Sequence, residues 1–141
     1  MSKPKTLSII GCGKVGQTLA RLWVQQHALQ IQDILNTSVE SGTRAAAFVG
    51  TGRVAHDYAD LQAADIFLIA APDDQIVACC DALANTGSLS ADSIVFHCSG
   101  ALPSSILQQA AQQGAAIASI HPIRSFASPE KVIASFAGTY C

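Results

Sequence analysis

A short strand that runs into a glycine-rich turn and then a helix is the feature that most constrains the fold of this chain. The apolar run at residues 7–10 leads directly into Gly11-Cys12-Gly13-Lys14-Val15-Gly16, which opens an amphipathic segment. This G-x-G-x-x-G spacing, between a strand and a helix, is typical of the phosphate-binding turn of a dinucleotide-binding domain. The motif therefore predicts that residues 11–16 contact the phosphates of a dinucleotide.

Each glycine of the motif has its own predicted task. Gly11 allows the tight turn, Gly13 lets a pyrophosphate approach a backbone without a Cβ, and Gly16 lets the helix pack close to the strand. The helix that follows offers free N–H groups and the positive end of its dipole to the phosphates. The alternative is a glycine-rich turn with a purely structural role.

Strand-like and helix-like runs alternate along the chain, which predicts an α/β fold with a doubly wound parallel sheet. Half of the residues are hydrophobic and 13% are charged, as expected for a sheet buried on both faces. Predicted strands cover residues 7–10, 31–35, 53–55, 65–71, 93–98 and 115–120; predicted helices follow Gly16 and cover 41–49, 76–84, 103–113 and 132–136. We expect residues 1–141 to form one dinucleotide-binding domain, truncated before a further domain that completes the substrate pocket.

Composition argues against several classes of protein. The net charge is −2 and no basic run occurs, so a nucleic-acid partner is not expected. No apolar stretch reaches membrane-spanning length, and no His/Cys spacing is typical of a metal site. Five cysteines without a C-x-x-C motif favour free thiols in a reducing compartment. We therefore expect a cytoplasmic protein that binds a small molecule.

The end of the second predicted strand sets the choice of cofactor. Domains that bind NAD place Asp or Glu about 20 residues beyond the glycines, where the carboxylate binds the ribose 2′-hydroxyl. This chain has Asn36-Thr37-Ser38 there, and neutral side chains leave room for a 2′-phosphate. Arg44, one turn into the next helix, is a candidate partner for that phosphate. The residues favour NADP; the alternative is that Thr37 or Ser38 caps the helix and Arg44 is a solvated surface residue.

The ends of later strands supply the candidates for chemistry, since ligands of open parallel sheets bind at the carboxyl ends of the strands. Ala71 and Pro72 follow the fourth strand and are expected beside the cofactor. Ser99 follows the fifth strand, where it is either a substrate-orienting hydroxyl or a turn residue. His121 follows the sixth and is the best acid–base candidate, because imidazole changes charge near neutral pH; a structural role is the alternative. Arg124 is a candidate carboxylate clamp.

Four segments together resemble a known group of proteins. They are residues 9–16, then Ala70-Ala71-Pro72-Asp73-Asp74-Gln75-Ile76, then His97-Cys98-Ser99-Gly100-Ala101-Leu102, then His121-Pro122-Ile123-Arg124-Ser125-Phe126. In this order they resemble Rossmann-like oxidoreductases with a C-terminal helical domain. That group is similar to pyrroline-5-carboxylate reductase, prephenate dehydrogenase and the deazaflavin-dependent NADP reductases. The resemblance implies catalytic roles for Ser99 and His121, and a homodimer formed through the helical domain.

Two classes of function follow. The first is an NADP-dependent oxidoreductase that transfers hydride to or from a small, carboxylate-bearing substrate, with the cofactor supplying the chemistry. The second is a non-enzymatic module of a larger protein that binds or senses the dinucleotide. Fold alone does not separate the two.

Overall fold

Parallel strands form one sheet in the computed structural model, which describes residues 4–122. Within those residues the strands are β1 (Lys5–Ile10), β2 (Leu29–Leu35), β3 (Arg53–Val54), β4 (Ile66–Ile69), β5 (Ile94–His97) and β6 (Ala116–Ser119). Their order in the sheet is β3-β2-β1-β4-β5-β6. The chain runs outward from β1 to β3 and then returns to the other side of β1, so the strand order reverses between β1 and β4. The predicted doubly wound parallel sheet is confirmed.

Helices connect these strands and pack on both sides of the sheet. They are α1 (Lys14–Gln25), α2 (Val39–Val49), α3 (Ile76–Ala84) and α4 (Gln108–Gln112). The helix expected over residues 103–113 is divided: Ser104–Leu107 forms a 3₁₀ turn before α4 begins, a common way for a helix to start. The six strands, α2 and α3 begin and end within two residues of their predicted limits, whereas α1 begins at Lys14, ahead of its predicted start after Gly16. The expected helix at 132–136 and the candidate Arg124 lie outside the described residues.

Both faces of the sheet are covered by apolar packing, because successive side chains of a strand point to opposite faces. Leu7 and Ile9 of β1 pack with Ala20 of α1 and Ala45 of α2 on one face. The opposite face is built from residues of β1, β4 and β5 with α3 and α4, including Ile10, Phe67, Ile69, Leu83, Val95 and Ala110. With both faces occupied, the carboxyl ends of the strands form the edge where a ligand can enter.

A bulge in β2 interrupts its pairing with β1. Leu7 pairs with Ile31, but Ile9 pairs with Ile34, so two residues of β2 lie opposite one residue of β1. The N–H of Asp33 donates instead to the Ser8 hydroxyl, at 3.2 Å. Bulges re-aim side chains, and here the bulge coincides with a fully buried carboxylate at Asp33.

Candidate functional site

A cleft of about 870 Å³ opens at the carboxyl ends of β1, β2 and β4. It is lined by residues 10–15, by residues 35–37 at the end of β2, by residues 56–58 and by residues 70–72, with four further side chains from α1, α2 and the β4–α3 region. Nine of the expected cofactor residues line it: Gly11, Cys12, Gly13, Lys14, Val15, Asn36, Thr37, Ala71 and Pro72. Gly16, Ser38, Arg44, Ser99 and His121 are not among the lining residues.

The three glycines of the loop face different surroundings. Gly11 has φ +74°, and a Cβ there would lie 2.8 Å from the Ala71 Cα. A Cβ on Gly13 would meet only the Gly11 carbonyl oxygen, at 4.0 Å, while one on Gly16 would lie 3.2 Å from the Ala70 Cβ. The loop is therefore packed closely against residues 70–71, just after β4, at Gly11 and Gly16, and is open toward the cleft at Gly13.

Two amide side chains hold the loop in this shape. The Cys12 N–H donates to Asn36 Oδ1 at 2.6 Å, and the Cys12 carbonyl accepts from Gln17 Nε2 at 3.2 Å and from Asn36 Nδ2 at 3.4 Å. Asn36 Nδ2 also donates to the Ser41 hydroxyl, at 2.9 Å. The Asn36 side chain lines the cleft, but its hydrogen bonds join the glycine loop to β2 and α2.

The N-terminus of α1 meets the cleft without a side-chain cap. Gly13 is the N-cap residue and forms no side-chain cap hydrogen bond, so the N–H groups of Lys14, Val15 and Gly16 have no partner within the helix. Lys14 is exposed, and among residues 4–122 no carboxylate forms an ion pair with it. This end of the helix presents several donors and one cation to the cleft, which is the chemistry that binds an anion.

The residues beyond Asn36 divide between the cleft and the surface. Thr37 is exposed and lines the cleft. The Ser38 hydroxyl accepts from the Ser41 N–H at 3.1 Å and caps α2, the role that the sequence offered as the alternative. Arg44 lies outside the lining, and its guanidinium is 3.7 Å from the Glu40 carboxylate in an exposed pair.

One wall of the cleft comes from a segment to which sequence reasoning gave no role. His56, Asp57 and Tyr58, which follow β3, all line the cleft. The His56 N–H donates to Asp60 Oδ2, and the Asp60 N–H donates to Asp57 Oδ1, both at 2.9 Å. The sequence does show a cluster of acidic residues just after this short strand. Its role could not be predicted from the sequence, because that role depends on which side chains meet across the sheet.

Burial sets the protonation of two groups beside the cleft. The Cys12 thiol is buried, which raises its pKa to about 12, so it stays protonated and unreactive near neutral pH. Burial, followed by a hydrogen bond with Cys79, raises the pKa of Tyr58 above its usual range. Both Cys12 and Tyr58 therefore line the cleft as neutral groups.

A turn after β5 carries Ser99 next to a buried histidine. The Ser99 N–H donates to His97 Nδ1 at 3.0 Å, and His97 Nε2 lies 3.0 Å from the Pro103 carbonyl oxygen. Because that carbonyl only accepts, the proton of the ring is on Nε2. The Ser99 hydroxyl accepts from the Ala101 N–H at 3.1 Å, and within residues 4–122 its own hydrogen has no acceptor. His97 is fully buried, and both of its ring nitrogens are hydrogen-bonded within this turn.

His121 lies over the same turn. Its Nδ1 is 3.2 Å from the Cys98 carbonyl oxygen, which places a proton on Nδ1; in the neutral tautomer the lone pair is then on Nε2. A Cβ on Gly100 would lie 2.6 Å from His121 Nε2, so the ring rests directly on the backbone of this glycine. The structure thus brings the segments of Ser99 and His121 together at the ends of β5 and β6, one strand beyond the cleft.

Within residues 4–122, no group of three or more His, Cys, Asp or Glu side chains comes together as it would around a metal ion. In the same residues, no helix has the length and apolar character needed to cross a membrane.

Several solved structures with similar folds are described as oxidoreductases. A protein described as an NADP oxidoreductase, from Bacteroides fragilis, matches with a TM-score of 0.72 and 14% identity over 87% of this chain and 46% of its own. Prephenate dehydrogenase from A. aeolicus, solved with NAD+, matches with a TM-score of 0.62 and 17% identity over 81% of this chain and 39% of its own. An imine reductase variant from Myxococcus stipitatus, also solved with NAD+, matches with a TM-score of 0.66 and 18% identity over 89% of this chain and 43% of its own.

These similarities concern the fold, and this chain spans less than half the length of each of the three proteins. A sequence search of curated proteins finds no significant match. The family model of the Rossmann-like domain, however, matches residues 2–122, which is most of the chain. The strand order and the glycine loop at its reversal point agree with that match. The chain belongs to the Rossmann-like domain family.

Proposed function

We propose that this chain is the cofactor-binding domain of an NADP-dependent oxidoreductase that acts on a small, carboxylate-bearing substrate. The observation that carries the proposal is the uncapped N-terminus of α1, which opens with the glycine loop into the cleft at the β1/β4 reversal point. In open α/β sheets this is the place where nucleotides bind. The oxidoreductases of similar fold, two of them solved with NAD+, support the same class of ligand.

The residues of the cleft fit a dinucleotide. Gly13 leaves space for a pyrophosphate, the N–H groups of Lys14 and Val15 are available as donors, and the Lys14 ammonium is nearby. Ala71 and Pro72 offer an apolar edge beside β4. Bound there, the cofactor would supply hydride transfer, while the protein supplies binding and orientation.

The preference for NADP rests on the end of β2. No carboxylate occupies the position that binds a ribose 2′-hydroxyl in NAD-type domains, because Asn36 stands there and bonds the glycine loop. Arg44 belongs to a long, exposed ion pair with Glu40. Such pairs contribute about 0–1 kcal/mol, so a 2′-phosphate can compete with Glu40 for the guanidinium.

Ser99 and His121 are the proposed reaction residues. β5 is the neighbour of β4, so their turn lies beside the cleft on the side away from β2, where the nicotinamide half would lie. The Ser99 hydroxyl has a hydrogen to donate to a substrate, and the tautomer of His121 leaves Nε2 as a proton acceptor. We propose that Ser99 orients the substrate and that His121 exchanges the proton that accompanies hydride transfer.

Calorimetric titration with NADPH and NADH tests the binding site. We expect NADPH to bind and Gly13→Val to abolish binding, because the added methyl groups occupy the proposed path of the pyrophosphate. Ala47→Val, on the exposed surface of α2, is the matched control and should bind as the parent does. Unchanged affinity in Gly13→Val would contradict the proposed phosphate site.

The NADP preference has its own test. The parent should bind NADPH more tightly than NADH, and Arg44→Ala should narrow the difference. Glu40→Gln frees the guanidinium without removing it and should keep or widen the difference. Equal affinity of the parent for both cofactors would overturn the preference.

Turnover of the intact protein tests the reaction residues. We expect His121→Asn to lower the rate by about 10²–10⁴, the range for one acid–base group, with little change in NADPH affinity. Residues 1–141 alone should bind cofactor and turn over poorly. A normal rate in His121→Asn would remove this residue from the reaction.

A further inference from the structure

We infer that a chain of ion pairs, Asp33–Arg53–Asp60, positions residues 56–58 as the wall that binds the adenosine half of the dinucleotide. This inference rests on the proposed function, since it assigns a part of the same cleft. The three charged residues are positioning residues: none lines the cleft, and each acts through the backbone of the loop between β3 and β4.

Asp33 anchors both ends of that loop. Its buried carboxylate accepts from Arg53 Nε at 2.9 Å through Oδ1, and from the Gln62 N–H at 2.8 Å through Oδ2. Arg53 is the first residue of β3, and Gln62 follows the 3₁₀ turn at Tyr58–Asp60. The Asp33 carboxylate therefore contacts the chain both before and after residues 56–58. The bulge opposite Ser8 coincides with Asp33, which gives this irregularity of β2 a role.

Asp60 extends the chain of contacts to the tip of the loop. Arg53 Nη1 is 3.1 Å from Asp60 Oδ1, and Arg53 Nη2 donates to the Asp60 carbonyl. The other carboxylate oxygen of Asp60 accepts from the His56 N–H. The backbone N–H of Asp60 donates to the Asp57 carboxylate. The backbone of the wall is thus tied to Arg53 through the carboxylate and the carbonyl of Asp60, and only the carboxylate reaches the His56 N–H.

The position of this wall beside the end of β2 assigns it to the adenosine half of the dinucleotide. In Rossmann-type domains the ribose of the adenosine lies at the end of the strand that follows the glycine motif, which is β2 here. Residues 56–58 border the cleft together with Asn36 and Thr37 of that strand end. Pro72 and Gln75 border it on the β4 side, toward the other half.

A purely stabilising role is the competing explanation. Substitution of Asp33 or Arg53 does not separate the two, because either one leaves a buried or unpaired charge and destabilises the fold. Asp60 is partly exposed, and its removal leaves the Asp33–Arg53 pair intact. Asp60→Ala is therefore the informative variant, and Asp92→Ala, an exposed aspartate at the opposite edge of the sheet, is the matched control.

The experiment measures the two halves of the ligand separately. ADP-ribose is titrated by calorimetry and nicotinamide mononucleotide by NMR, against the parent, Asp60→Ala and Asp92→Ala. We expect Asp60→Ala to weaken ADP-ribose by about tenfold and to leave nicotinamide mononucleotide unchanged; Asp92→Ala should match the parent with both. Asp60→Asn keeps an acceptor for the His56 N–H without the charge and should show a smaller loss. It replaces Asp60→Ala if the alanine variant does not fold.

Two results would overturn the inference alone. One is an Asp60 variant that binds ADP-ribose as tightly as the parent; the other is an equal loss for both fragments, which would indicate general destabilisation. A parent that binds neither NADPH nor NADH would instead overturn the proposed function, and the inference with it.

Discussion

At the scale of single residues, the absence of a side chain has a different physical meaning at each glycine of the loop. Gly11 combines a left-handed φ of +74° with backbone contact to Ala71, whereas Gly13 has φ −88° and open space around it. Gly11 is therefore required by the folded chain, while Gly13 is required only if something outside the chain occupies that space.

Gly11→Ala should lower the free energy of unfolding by about 2–5 kcal/mol, the sum of the left-handed strain and the overpacking against Ala71. Gly13→Ala should lower it by less than about 1 kcal/mol, the scale of an N-cap substitution. Urea unfolding followed by circular dichroism measures both. Equal losses for the two variants would show that the contact with Ala71 relaxes at little cost.

The histidine that ends β5 and the histidine that follows β6 donate hydrogen bonds from different ring nitrogens. His97 donates from Nε2 to the Pro103 carbonyl, and His121 donates from Nδ1 to the Cys98 carbonyl. Only His121 depends on Gly100, on whose backbone its ring lies. The position of this ring is thus decided by a residue that has no side chain of its own.

Gly100→Ala should displace the His121 ring, since the new methyl group would lie 2.6 Å from Nε2. Long-range ¹⁵N–¹H NMR spectra of the imidazoles report the result. We expect the Nδ1–H tautomer of His121 to be lost and the Nε2–H tautomer of His97 to persist as an internal control. An unchanged His121 signal would contradict the described packing.

At the scale of elements, α1 ends in a left-handed backbone conformation that is unfavourable for the residue found there. His27 has φ +53°, and the N–H groups of His27 and Ala28 return to the carbonyls of Val24 and Trp23. This is the hydrogen-bond pattern that glycine usually terminates. His27 is exposed, so its side chain gains little from packing in return for the strain.

His27→Gly should therefore raise the free energy of unfolding by about 0.5–1 kcal/mol, which is the relief of left-handed strain less the entropy of a glycine. Thermal and urea unfolding measure the change. Gln26→Gly is the control, because Gln26 has φ −91° and gains no relief; it should lower stability. A loss in His27→Gly would mean that the imidazole makes a stabilising contact.

At the scale of the whole molecule, a polar contact ties the sheet together at the edge opposite the cleft. The Asp65 carboxylate accepts from the Thr6 N–H at 2.9 Å and from its hydroxyl at 3.2 Å, and the Asp65 N–H donates to the Thr6 hydroxyl at 3.0 Å. The Thr6 backbone hydrogen bond, above all, holds the pKa of Asp65 below its usual value. The contact joins the beginnings of β1 and β4, the two central strands.

The contribution of the Asp65 carboxylate to the free energy of unfolding should depend on pH. Because the folded pKa is lower than the unfolded value of about 3.9, the stabilisation is complete above about pH 4 and is lost as the pH falls through the folded pKa. Asp65→Asn should be less stable than the parent at pH 7, and the difference should shrink in acid. Urea midpoints between pH 2 and pH 7 measure it, with Asp92→Asn as control. A difference that does not vary with pH would contradict the ionic origin.

The sequence by itself determined the sheet and the position of its ligand edge. Both follow from local patterns: apolar runs of strand length, helical segments between them, and a glycine motif directly after β1. Since parallel strands share one carboxyl edge, residues such as Pro72, Ser99 and His121 could be assigned to that edge without coordinates. The helix over residues 103–113 was less predictable, because a 3₁₀ start and an α-helix have nearly the same periodicity.

Only the tertiary structure decided which side chains meet at that edge. Asn36 bonds Cys12 across 24 residues, Arg53 bonds Asp33 across 20, and His121 bonds Cys98 across 23. A one-residue bulge in β2 and a backbone without a Cβ at Gly100 set two of these contacts, and neither leaves a periodic trace in the chain. Local patterns report which atoms an element buries, whereas partners across strands depend on register and approach distance, which exist only once the sheet has formed.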